Sequence, residues 1–173
     1  LPGRLSAMGC LLLVFFIARR LGLSDFSAFL ATFILASTRD FILISMQGGI
    51  EPLLSFWCWL EFFLLLVSLQ SRKTYLEIFA GLCVVLAAFS KGPPALWPFV
   101  FAMALILFYP SPFPHRVRRL ANFFIGVAAG AAIWGLWIKE SGLGWYWSRY
   151  WTEQVMGSAL QGRGHHQGFE PLY

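Results

Sequence analysis

Apolar residues run through this chain in long blocks, and polar residues are confined to the short breaks between them. Six blocks stand out: Leu5–Ala18, Phe26–Met46, Leu53–Leu69, Tyr75–Ser90, Pro93–Tyr109 and Leu120–Ile138. None alternates polar and apolar residues as the strands of a membrane barrel do. A helix satisfies its own backbone in lipid, so helices are predicted for all six. A full span takes about 20 residues, and the shorter blocks call for tilt or local thinning of the bilayer. The pattern predicts an all-α, polytopic transmembrane helix bundle of about six helices over residues 1–138.

Residues 139–173 break this pattern. Trp145, Tyr146, Trp147, Tyr150 and Trp151 crowd one window with Arg149 and Glu153. Aromatic residues with a few charges favour the headgroup level, so an interfacial helix is predicted, followed by a polar loop over 157–168.

Composition agrees with the pattern. The chain is 58% hydrophobic and 12% charged, with a mean hydropathy of +0.68. A soluble domain carries about 25% charged residues. The 13 bases against 8 acids sit in clusters between apolar blocks, which is how topology signals are arranged, so nucleic acid is excluded as a partner. Cys10, Cys58 and Cys83 each lie inside an apolar block; they read as small hydrophobes and identify no compartment.

The charge clusters then predict orientation. Arg19 and Arg20 follow the first block, Arg72 and Lys73 the third, and Arg116, Arg118 and Arg119 the fifth. These are alternate loops, so they share one face if every block spans. The positive-inside rule makes that face cytoplasmic. The opposite, outward face receives Glu51, the turn Ser90–Pro94 and residues 139–173.

Candidate chemistry collects on that outward face. Glu51 follows Gly48 and Gly49, which end one helix, and precedes Pro52, which can open the next. A helix start favours an ionised carboxylate, suiting a base or a ligand; the plain alternative is a solvated loop acid. Lys91 precedes Gly92 and Pro93. It is either a snorkelling anchor or a point charge for a phosphate. His165 and His166 are candidate ligands for a divalent metal ion with a distant Glu, or ordinary loop histidines. Arg39, beside Asp40 in the second block, is a candidate lining residue of an outward pocket. Glu61, deeper in the third block, either pairs with a neighbouring helix or marks an amphipathic span.

Three of these elements occur in an order that resembles a known family. They are Gly49-Ile50-Glu51-Pro52-Leu53-Leu54 at a helix start, Ser90-Lys91-Gly92-Pro93 after a later span, and Glu153-Gln154-Val155 followed by His165-His166-Gln167-Gly168-Phe169. The chain resembles the polytopic glycosyltransferases that use polyprenyl-phosphate sugars, among them the aminoarabinose transferases of lipid A and the protein O-mannosyltransferases. The resemblance covers nearly all of the sequence. It implies a multi-pass protein of a bacterial inner or plasma membrane, transferring sugar from a polyprenyl-phosphate carrier to a lipid or protein acceptor. The family often has Asp where Glu51 stands. Relatives show His-x-x-Pro-Phe; His165 fits that spacing with Gly168 in place of proline, and His166 is its rival. The resemblance gives Glu51 a place in the active-site cavity, Lys91 and Arg39 the carrier phosphate, and the histidines the metal or phosphate region. The family's principal catalytic acid lies in an earlier outward loop, so the sequence reads as a fragment of a longer enzyme.

Two other classes compete. A transporter or channel predicts binding groups near the bilayer midplane and an internal repeat; no repeat is visible. A non-catalytic scaffold predicts nothing special at Glu51, Lys91 or His165.

Overall fold

A computed structural model describes residues 2–46, 50–71, 73–92, 96–149 and 152. Among them there is helix and no strand, the predicted all-α bundle. The helices are α1 (Pro2–Arg20), α2 (Asp25–Ser37), α3 (Arg39–Met46), α4 (Glu51–Ser71), α5 (Tyr75–Lys91), α6 (Leu96–Phe108), α7 (Phe113–Ser141) and α8 (Gly144–Arg149). Three of them, α1, α4 and α7, are long and apolar enough to cross a membrane, and α2 with α3 makes a fourth if the bent pair is one span. Large apolar side chains stand exposed along them, including Phe26, Trp97 and Phe108. Water opposes such a surface and lipid does not, so the structure is that of a membrane protein.

The structure departs from the predicted blocks in three places. The second block is broken: Thr38 is extended (φ −66°, ψ 126°), and the axis turns by 62° between α2 and α3. Thr38 Oγ1 donates to the Ile34 carbonyl, a local bond that competes with regular helix pairing. Arg39 and Asp40 therefore open a helix of their own instead of lying towards the outer end of one continuous span. The fifth block is short. At about 1.5 Å per residue, the 13 residues of α6 reach only about 20 Å across a core of about 30 Å. The sixth begins early, and α7 takes in Arg116, Arg118 and Arg119, for which the block pattern predicts a loop. The expected helix end at Gly48 and Gly49 and the helix start at Pro93 lie outside the described residues.

The chain divides into two compact units, Leu1–Ala132 and Ile133–Tyr173. In the first, Leu65, Ala80, Val84, Ala102, Ile106 and Phe123 form a core drawn from α4, α5, α6 and α7. Leu13, Ile17 and Leu66 join α1 to α4. Close packing depends on glycine. Gly81 on α5 meets the backbone of Phe123 and Val127, while Gly126 on α7 meets that of Ile78. Small residues let helix backbones approach where apolar burial offers no drive, because lipid is as apolar as leucine.

Side-chain bonds fix which helix ends lie together. Gln70 near the end of α4 donates to the Arg20 carbonyl at the end of α1, 2.9 Å. Ser68 donates to Glu77 at the start of α5, 2.8 Å. Arg119 in the early turns of α7 lies 3.4 Å from the same carboxylate. Arg20, Lys73 and Arg119, one from each predicted basic cluster, thus lie at one end of the unit. The second unit holds the last turns of α7 and the short α8, whose Trp145 is exposed.

Candidate functional site at the Glu51–Lys91 end

Glu51 is the first residue of α4 and Lys91 the last of α5. The two helices run antiparallel, so residues 40 apart in sequence come together. Lys91 Nζ donates to Glu51 Oε1 at 2.6 Å. Each helix end suits its charge: the acid sits at the positive end of one macrodipole and the base at the negative end of another. The ammonium and the helix start both favour the ionised carboxylate. Gly92 ends α5 with φ 69°, and its N–H reaches the Ala88 carbonyl at 2.7 Å.

The pair is open to its surroundings, with side-chain exposures of 43% for Lys91 and 45% for Glu51. At that exposure an ion pair stabilises by only about 0.2–1 kcal/mol. The fold does not depend on it, and both groups can be approached. A phosphate arriving at Lys91 would compete with the carboxylate for the ammonium and release Glu51 to accept a proton.

Among the described residues, no hydrogen bond or ion pair joins Arg39 to this pair. Arg39 stands exposed at the start of α3, with no ion pair among the described residues. His165 and His166 lie outside the described residues. No group of three His, Cys, Asp or Glu converges on a metal position among the described residues. Glu51 supplies one carboxylate, which Lys91 engages.

A buried polar cluster at the basic end went unread in the sequence. Glu77, 1% exposed, accepts from Ser68 and, at 3.2 Å, from Asn122 Nδ2. Arg119, 6% exposed, completes it. The signal was present: Arg119, Asn122 and Gly126 follow helical spacing and mark one face of α7. Reading the three arginines as a loop hid it. Glu61 is buried as well, and its Oε1 has no hydrogen-bond partner among the described residues. It lines a cavity of ≈ 600 Å³ with Cys58, Trp59, Phe62, Trp97 and Phe101.

Comparison with protein-family models, with curated proteins and with solved structures found no match.

Proposed function

We propose that the chain belongs to a membrane glycosyltransferase that moves a sugar from a polyprenyl-phosphate carrier to a lipid or protein acceptor. The observation that supports this reading is the meeting of Glu51 and Lys91, from separate helices, at the end of the unit away from the basic clusters. A multi-pass protein of a bacterial inner or plasma membrane with its basic end in the cytoplasm carries this pair on the outer face.

The reaction needs a group that takes a proton and a positive charge for a departing phosphate. The acceptor oxygen bonds to the anomeric carbon as the carbon–oxygen bond to the phosphate breaks. The electron pair leaves with the phosphate on its polyprenyl chain. Lys91 meets that charge. Glu51, freed from Lys91, orients the acceptor hydroxyl and assists loss of its proton. Arg39 and the histidines keep the roles that the family resemblance implies.

The test is transfer from a polyprenyl-phosphate sugar by the full-length parent in membranes, at equal expression. Glu51→Gln and Lys91→Ala are each expected to lower turnover by about 10²-fold or more, while thermal stability stays within about 1 kcal/mol of wild type. Unchanged transfer in both variants would remove the assignment.

The broken α2–α3 pair and the buried Glu61 at the middle of α4 favour a second reading, a transporter. Solute flux that is lost in Glu61→Gln, in a protein without transfer activity, would decide for it.

A further inference from the structure

The basic end of the first unit contains a cavity that neither reading uses. It measures ≈ 320 Å³ and is lined by Gln70, Thr74, Ser111, His115, Arg118 and Arg119, with Tyr109 and two prolines beside them. No carboxylate lines it among the described residues.

Its polar groups are short of acceptors. Arg119 is 6% exposed. Its guanidinium carbon lies 5.7 Å from the centre of the Tyr109 ring, and its Nε lies 3.4 Å from Glu77 Oε1. Even so, Nε and Nη1 are buried with no hydrogen-bond partner among the described residues. Glu77, whose two oxygens accept from Ser68 and Asn122, is within ion-pair reach of Nε but makes no hydrogen bond to it. Ser111 Oγ is likewise buried and without a partner. Arg118 Nη2 lies 3.3 Å from His115 Nδ1. Arginine only donates, so Nδ1 accepts and the ring's other nitrogen carries a proton. A buried donor without an acceptor is costly, and several around one cavity indicate an absent acceptor of negative charge.

The geometry points to a binding site for a phosphate-class oxyanion, held by Arg119, Arg118 and Ser111. Its place at the helix ends, beside Arg20 and Lys73, is where a phospholipid headgroup or a soluble phosphate compound would reach it. The site does not rest on the glycosyl-transfer reading.

The experiment uses the full chain in dodecyl maltoside, which carries no phosphate. Thermal unfolding is followed against inorganic phosphate and, separately, dihexanoyl phosphatidylglycerol. A saturable rise in Tm is expected with at least one probe. Protection by phosphatidylglycerol alone assigns a lipid headgroup; protection by inorganic phosphate assigns a soluble phosphate. Ser111→Ala and Arg118→Ala spare the Glu77–Arg119 pair, and each is expected to weaken the apparent affinity about tenfold. No saturable rise with either probe, or wild-type affinity in both variants, would overturn the site.

Discussion

Gly126→Ala tests the packing that positions both ends of the first unit. A Cβ on Gly126 would fall 2.8 Å from the carbonyl carbon of Ile78 and 2.9 Å from its Cα, against ordinary contact at 3.4–4 Å. The atoms it meets are backbone, so no rotamer change relieves the overlap. The helices must separate by roughly an ångström, which loosens Phe123 against Ala80 and Val84. Overpacking of this kind costs about 1–3 kcal/mol. The upper end is expected here, because Gly81 opposes α7 just as tightly. Gly135 on the same helix supplies the contrast. Its Cβ would meet nothing within 4 Å, so Gly135→Ala is expected to gain about 0.5–1 kcal/mol from helix propensity alone. Thermal unfolding of both variants in one detergent measures the two signs. Wild-type stability in Gly126→Ala, or an equal loss in Gly135→Ala, would refute the close α5–α7 approach.

Two further predictions concern the buried ion pair and the shared helix ends. Arg119→Met leaves Glu77 buried without its cation and is expected to cost about 3–5 kcal/mol, with most of it recovered when Glu77→Gln is added; the double-mutant cycle in thermal or denaturant unfolding measures the coupling. In a variant with Cys10, Cys58 and Cys83 replaced by serine, single cysteines at Glu51 and Lys73 are expected to react with an impermeant maleimide from opposite sides of sealed vesicles, and labelling from one side would break the end assignment.

Much of the fold was legible in the sequence because lipid admits few solutions. Long apolar blocks had to be helices, and the alternation of Arg19–Arg20, Arg72–Lys73 and Arg116–Arg119 gave the shared end. Within the candidate site, Glu51 and Lys91 were legible as helix-end charges for the same reason. Their contact at 2.6 Å was not, since it depends on α4 and α5 packing antiparallel so that the start of one meets the end of the other. The bend before Arg39 was not legible, because a single extended residue, Thr38, turns the axis there.

Composition and periodicity by themselves determined that this is a helical membrane protein, and which loops carry like charge. These properties follow from hydrophobic length and local backbone chemistry, which each segment carries alone. Tertiary structure decided which charges meet. It set Glu51 against Lys91, sank Arg119 and Glu77 into one cluster, and left the donors of Arg119 and Ser111 facing a common cavity. Those outcomes depend on helix direction, on the glycine-to-backbone approach of α5 and α7, and on where α7 starts, and no single segment encodes them.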